Sequence, residues 1–277
     1  MNTIQDHRAF YANLVVRSSG SSNERLIAAF SSVERERYVG KGPWQIPVVS
    51  GYIPTISDDP RLLYQDILVG LATDRGINNG QPSLHANCLD ACLPVEGEVV
   101  VHIGAGTGYY TAILAALVGA SGTVVAFEIE SDLANRARDN LQHLPNTTVV
   151  GASAAETRLP NADVIYVNAG ATHPLGSWLD ALNVGGRLIF PLTPNDALGC
   201  MLLVTRNTPT SYAASVVSRV AFIPCIGARD DAASKTLTAV LDTQSIKTVQ
   251  SLHRGTTPDS TAWCIGTDWW LSTAEPR

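Results

Sequence analysis

The sequence predicts an α/β fold: a doubly wound, mostly parallel sheet with an antiparallel edge, helices on both faces and a small C-terminal appendage. Three observations carry this prediction. The run Val99-Val100-Val101-His102-Ile103 breaks directly into Gly104-Ala105-Gly106-Thr107-Gly108 and then into a helical pattern; a parallel strand buried on both faces reads as such a continuous β-branched run. A second apolar run, Thr123-Val124-Val125-Ala126-Phe127, ends in Glu128. Beyond it strand-like and helix-like segments alternate, the pattern of a parallel sheet covered on both faces.

Taken in order, the first forty residues read as helical, with Ser21-Ser22-Asn23-Glu24 offering a capping box to a helix that carries Leu26, Ile27 and Phe30. Gly42-Pro43-Trp44 through Asp58-Asp59-Pro60 is dense in Pro, Gly and Asp and reads as a long connection, a kind of segment that often walls a substrate site. Pro82 opens a helix with Leu84, Cys88, Leu89 and Cys92 on one face. After Glu128 come a helix over 133–141, strands at 148–151 and 163–168, a helix over 178–182 and a strand at 187–191. Two further strand-like runs, 201–205 and 215–223, are close enough to form an antiparallel edge. Residues 231–277 change character: a short helix near 232–241 precedes a β-hairpin, Ala262-Trp263-Cys264-Ile265 and Trp269-Trp270-Leu271, around Gly266-Thr267-Asp268. The expected division is therefore a domain over 1–230 and an extension over 231–277, with the three hairpin tryptophans packing the extension down rather than binding a ligand.

With 277 residues, 45% of them hydrophobic, the chain can bury a sizeable core. Its formal charge of −6 leaves no basic footprint for a nucleic-acid backbone. The N-terminal residues from Met1 to Arg8 lack an apolar signal core, and no run of about 18 apolar residues occurs, so a cytoplasmic location without membrane association is expected. The five cysteines are odd in number and mostly embedded in apolar runs, which suits reduced packing residues. Cys88 and Cys92 lie four apart, but no nearby His or Cys pair completes a tetrahedral metal site.

Glycine spacing separates two cofactor classes. A dinucleotide site wants G-x-G-x-x-G, and that register would place Tyr109 or Thr111 at the third glycine, so a nicotinamide oxidoreductase is disfavoured. The compact G-x-G-x-G loop resembles motif I of the S-adenosyl-L-methionine-dependent methyltransferases. By that resemblance the cofactor residues are Ile103, Gly104, Ala105, Gly106, Thr107, Gly108, Tyr109, Glu128 and Asn168. Glu128, at the end of the strand after the loop, is placed to accept both ribose hydroxyls, by analogy with the acid of dinucleotide folds. Glu130 starts the next helix instead.

Several blocks together resemble the protein-L-isoaspartate O-methyltransferase family, over roughly residues 8–228. Val33-Glu34-Arg35-Glu36-Arg37-Tyr38-Val39 is similar to its V-P-R-x-x-F-V element, Gln81-Pro82-Ser83-Leu84-His85-Ala86 to its S-[QA]-P-x-x-x-A element, and Asp163 to Ala171 with Gly185 to Pro191 to its D-x-I-x-V-x-A-A-A and G-G-R-L-x-x-P pair. Val220-Ala221-Phe222-Ile223-Pro224 matches its V-x-F-V-P ending. The resemblance implies methyl transfer from S-adenosyl-L-methionine to a carboxylate oxygen of a peptide or small-molecule acid. Three departures stand out. The family's T-I-S element, whose hydroxyl holds the acceptor carboxylate, is Asn78-Asn79-Gly80 here; its G-D-G element is Gly151-Ala152-Ser153; and His102 replaces an acid beside motif I. Asn78, Asn79 and His173 are the substrate-positioning candidates. Two alternatives stay open: a non-catalytic S-adenosyl-L-methionine-binding protein, and a methyltransferase acting on a small molecule without a carboxylate.

Overall fold

The structure, a computed structural model, describes residues 3–277. Met1 and Asn2, part of the N-terminal reading above, lie outside the described residues. The chain opens with α1 (Ile4–Ser18), α2 (Glu24–Ser32) and α3 (Arg35–Val39), continues through β1 (Gln45–Val48), β2 (Gly51–Pro54), β3 (Gly70–Ala72) and β4 (Ile77–Asn78), and enters α4 (Pro82–Cys92). The alternating segment follows: β5 (Val99–Ile103), α5 (Tyr109–Val118), β6 (Thr123–Phe127), α6 (Ser131–Leu141), β7 (Thr147–Val150), β8 (Ala162–Val167), α7 (Gly176–Ala181) and β9 (Leu182–Leu192). Last come β10 (Gly199–Arg206), β11 (Tyr212–Val220), α8 (Asp231–Thr243), β12 (Ser251–Arg254), β13 (Ala262–Ile265) and β14 (Trp269–Ser272). The α/β class expected from the sequence is the one observed, and the chain divides into two compact units, Met1–Glu98 with Ala105–Gly151 and Val99–Gly104 with Ala152–Arg277.

In the first unit, α2 is capped by Asn23, whose Oδ1 accepts from the N–H groups of Arg25 (3.1 Å) and Leu26 (3.3 Å). The expected Ser21 cap does not form, because the Ser21 hydroxyl accepts from Asn23 N–H instead. The long connection is more ordered than its composition suggests: β1 and β2 form an antiparallel hairpin with Ile46 opposite Ile53, and β3 pairs with β4. β6 and β7 are parallel, with Val125 opposite Thr148. α5 is apolar around nearly its whole circumference, as a helix buried on all sides must be.

The strongest organiser of this unit is Arg35, which is fully buried. Its guanidinium donates to the carbonyls of Leu63 (2.6 Å), Gln65 (3.0 Å) and Ile67 (2.5 Å). The cation also lies over the rings of Tyr11 (5.6 Å) and Tyr109 (5.8 Å). A chain segment without regular strand or helix is thereby fastened to the helical layer by charge-assisted bonds.

In the second unit the strand order is β13-β14-β12-β11-β10-β9-β8-β5. β8 is parallel to both β5 and β9, with Ile165 opposite Val101 on one side and Leu188 on the other; every pairing beyond β9 is antiparallel. β10 and β11 form the antiparallel pair anticipated, but β11 is not the edge. β12, which the sequence reading missed, pairs with it through Tyr212↔Leu252 and in turn receives β14. The hairpin therefore continues the sheet, and Trp263, Trp269 and Trp270 are all buried. Trp178 sits at the centre of this unit, edge-on to Phe190 at 6.2 Å, with its indole N–H donating to Ala154 O (3.2 Å).

Arg35→Ala strips three carbonyls of their donor. The variant is expected to lose about 1–3 kcal/mol for each carbonyl left buried and unsatisfied, seen as a lower urea midpoint and faster proteolysis within residues 60–70. An unchanged midpoint would show that the 63–67 carbonyls find other partners.

Candidate cofactor site

The glycine loop and the acid meet in the first unit. Ala105 N–H donates to Phe127 O (3.1 Å), setting the loop against the end of β6. One residue on, Gly106 N–H donates to Glu128 Oε2 (2.6 Å), while Glu130 N–H donates to Glu128 Oε1 (3.0 Å). Gly106 has φ +56°, and a Cβ there would stand 3.3 Å from Leu71 Cδ1, so any side chain is strained and crowded. Glu128 is buried; desolvation pushes its carboxyl above the usual glutamate value, and the backbone amides of Glu130, Gly106 and Ile129 oppose that shift. Each carboxylate oxygen keeps a second lone pair, which is what two vicinal hydroxyls need. Glu130 occupies the N-cap position of α6 as expected and pairs with Arg75, which also holds Asp132 (2.7 Å).

The remaining loop residues divide by role. Thr107 is buried, and its carbonyl accepts from Asn140 Nδ2 (2.9 Å). Gly108 precedes the first turn of α5. Tyr109 turns its side chain into the packing: it is buried, its hydroxyl stands 3.1 Å from that of Tyr11, and its ring lies 5.9 Å from that of Tyr38. Its ring is thus committed to the helical layer.

The substrate-side candidates are also engaged. Asn78 Oδ1 accepts from Gly80 N–H (2.9 Å), an Asx turn. Buried Asn79 behaves like a strand partner of Val69: its N–H donates to Val69 O (3.0 Å) and its Oδ1 accepts from Val69 N–H (2.8 Å). Its Nδ2 is buried without a partner among the described residues. Gly80 has φ +73°, and a Cβ on it would lie 2.2 Å from His85 Nε2. The His85 ring, itself buried, stacks on Tyr110 at 3.7 Å.

In the second unit Ile103 ends β5, and its carbonyl accepts from Asn168 N–H (2.8 Å). Asn168 Nδ2 stands 2.8 Å from His102 Nε2. Full burial pushes the His102 imidazole down to about 3, so it is neutral at physiological pH. His173 is half-buried, its Nδ1 is 3.0 Å from Thr172 Oγ1, and desolvation lowers its pKa. Thr172 Oγ1 accepts from Asp230 N–H (2.9 Å). A separate cavity near the C-terminal end of α5, lined by Tyr38, Ala116, His143 and Asn146 among others, contains none of the candidate residues.

A family model described as protein-L-isoaspartate(D-aspartate) O-methyltransferase matches residues 12–230. The chain belongs to this family. Among curated relatives, a protein-L-isoaspartate O-methyltransferase of Ignicoccus hospitalis is 30% identical over 169 residues, spanning 60% of this chain and 79% of the relative. A protein-L-isoaspartate O-methyltransferase 1 of Geotalea uraniireducens is 26% identical over 232 residues, 82% of this chain and 96% of the relative. Two solved structures share the fold. One, a protein-L-isoaspartate O-methyltransferase, has TM-score 0.66 and 22% identity, covering 85% of this chain and 69% of that one. The other, from Plasmodium falciparum and in complex with S-adenosyl-L-homocysteine, has TM-score 0.64 and 18% identity, covering 79% and 98%.

The chain is an S-adenosyl-L-methionine-dependent O-methyltransferase. One feature of the structure fits that cofactor: in the first unit a buried carboxylate follows β6 with acceptor capacity to spare. Sequence reasoning quoted Arg35 inside a motif without giving it a role. Its place three and four residues before Tyr38 and Val39, on the buried face of α3, was the available signal. The contact of His85 with Gly80 had none, because the two meet through the turn before α4.

Gly106→Val is expected to abolish S-adenosyl-L-homocysteine binding, and Glu128→Ala to weaken it by roughly 1.5–3 kcal/mol, the range for hydrogen bonds to a charged group. Titration calorimetry on both variants checks this, and wild-type affinity in both would dismiss the loop. His102 generates a pH effect of definite sign. Its folded pKa lies below the unfolded value of 6.5, so the unfolded chain binds the extra proton between pH 6.5 and about 3, and stability falls as pH drops through that window. The slope contributed approaches about 1.4 kcal/mol per pH unit. Urea midpoints at pH 7 and pH 5 should converge in His102→Gln relative to wild type.

Proposed function

We propose that the chain transfers the methyl group to a carboxylate oxygen of a peptide or small-molecule acid, and that isoaspartyl peptides are weaker acceptors here than for an enzyme whose acceptor wall carries a hydroxyl. One observation carries the second half of this reading: His85 Nε2 lies 2.2 Å from where a Cβ on residue 80 would stand. The family resemblance places a seryl hydroxyl at residue 80, and in this chain an imidazole fills that space.

The cofactor supplies an electrophilic methyl on a sulfonium. A carbon–oxygen bond forms to the acceptor as the carbon–sulfur bond breaks, and the electron pair leaves with sulfur. A carboxylate is already ionised near neutral pH, so no residue has to take its proton, and the protein contributes mainly position. Asn79 is the positioning residue favoured here, because its buried Nδ2 is a donor without a partner among the described residues. Asn78 Oδ1 is occupied by Gly80 N–H, and His173 stands against Thr172. The −6 charge supports a substrate other than nucleic acid. The five cysteines are free and buried, with Cys200 and Cys264 pushed up to about 12 by desolvation, which supports the cytoplasmic reading. Among the described residues no helix is long and apolar enough to cross a membrane.

The test is S-adenosyl-L-homocysteine formation with an isoaspartyl peptide, its normal aspartyl counterpart and a panel of small acids. Gly80→Ser alone is a poor probe, since the new side chain meets both the positive φ and His85. The paired Gly80→Ser/His85→Ala variant makes room. It is expected to raise kcat/KM on the isoaspartyl peptide about 2–10-fold, the equivalent of one hydrogen bond worth 0.5–1.5 kcal/mol. Wild-type turnover equal to that of an authentic repair enzyme would refute the weak-acceptor claim and leave isoaspartyl repair as the function.

A further inference from the structure

The β3–β4 hairpin is held against α6 at two places. At its tip a short turn over Thr73–Arg75 is closed by Gly76 with φ +69°, and the Arg75 guanidinium grips the start of α6. Nη1 donates to Asp132 Oδ1 (3.0 Å) and Nη2 to Asp132 Oδ2 (2.7 Å), while Nη1 also pairs with Glu130. One helical turn further along α6, Arg136 Nη1 donates to the carbonyl of Leu71 (3.1 Å), in the first strand of the hairpin. Residue 75 lies outside the family elements, the nearest of which begins at Asn78.

Between these attachments the Leu71 side chain reaches the glycine loop, where a Cβ on Gly106 would stand 3.3 Å from Leu71 Cδ1. A ligand lying along Gly106 and Glu128 therefore meets the hairpin as well as the loop. Arg75 reaches the same place by a second route, because Glu130, whose carboxylate it holds, donates its N–H to Glu128 Oε1 (3.0 Å). The Arg75 and Asp132 side chains are 36% and 52% exposed, and a pair so open to water adds little to folding stability. What the forked contact fixes is direction, since two parallel N–H···O bonds leave the guanidinium plane one orientation. Such a contact is also open to screening by salt.

Resting on the reading that this loop and Glu128 hold the cofactor, we propose that the β3–β4 hairpin is a strap across the cofactor loop and that Arg75 is the positioning residue that keeps it closed. The product S-adenosyl-L-homocysteine then leaves when the Arg75 ion pairs open. Every turnover needs that opening, because spent cofactor must be exchanged for fresh, and the release of a covered product is a step that such a strap controls.

The test measures release from the full chain, by chasing radiolabelled S-adenosyl-L-homocysteine with an excess of the unlabelled ligand. At low salt Arg75→Gln should release it about fivefold faster than wild type, the upper end for an exposed ion pair. Raising NaCl to about 0.5 M should speed release from wild type and leave Arg75→Gln unchanged. Asp132→Asn should give part of the effect, and should add nothing in the Arg75→Gln background, the sign that both act through one contact. An ion pair with a merely structural role would lower the urea midpoint of these variants and leave the release rate alone. Release as slow in Arg75→Gln as in wild type, or an equal salt response in the two, would overturn the strap and leave the cofactor assignment standing. Failure of wild type to bind S-adenosyl-L-homocysteine would overturn both.

Discussion

Much of the first unit depends on a buried cation whose guanidinium is held by backbone carbonyls. Arg35 must place its donors on backbone carbonyls, and the three it finds belong to residues 63–67. That requirement converts an irregular segment into a fixed one. Asp66, within the same segment, accepts from Ser83 N–H (2.8 Å), the Ser83 hydroxyl (2.6 Å) and Gln81 Nε2 (2.9 Å), which anchors the start of α4. The turn holding Gly80 and the helix carrying His85 are therefore set in place by a charge several elements away. The guanidinium also lies over Tyr109, the first residue of α5 after the glycine loop. One desolvated group fastens the connection, the turn at Gly80 and the helix that follows the loop.

Two other buried ionisable groups follow opposite rules. Glu128 is kept from water yet given two backbone N–H groups, so the charged form is opposed by burial and supported by hydrogen bonds. His102 is enclosed, and desolvation favours its neutral form. The chemical difference between them comes from surroundings rather than residue type.

Family membership and acceptor chemistry separate along the same line. The loop, the acid and the alternating strands are what make the chain a methyltransferase of its family, and they survive the departures at Gly80, Ala152 and His102. At one of the departures the space is already taken: a small residue at 80 sits with a large ring at 85. Changes of this kind alter a site without altering the fold that carries it.

The sequence by itself determined the α/β class, the glycine loop, Glu128, the helix begun by Pro82 and the family, because each is written in local terms: β-branched runs, glycine spacing and capping residues. It also contained the hairpin tryptophans, whose burial follows from their area. It did not reveal β12, a four-residue strand whose only reason to be extended is its pairing with β11 and β14. Nor did it show that Tyr109 faces Tyr11, that Arg35 reaches residues 63–67, that His85 fills the space beside Gly80, or that His102 stands beside the amide of Asn168. Those facts join residues separated by anything from a short turn to most of a domain. Only the packed chain decides which buried donor finds which acceptor, since the demand that each be satisfied is local and the supply is not.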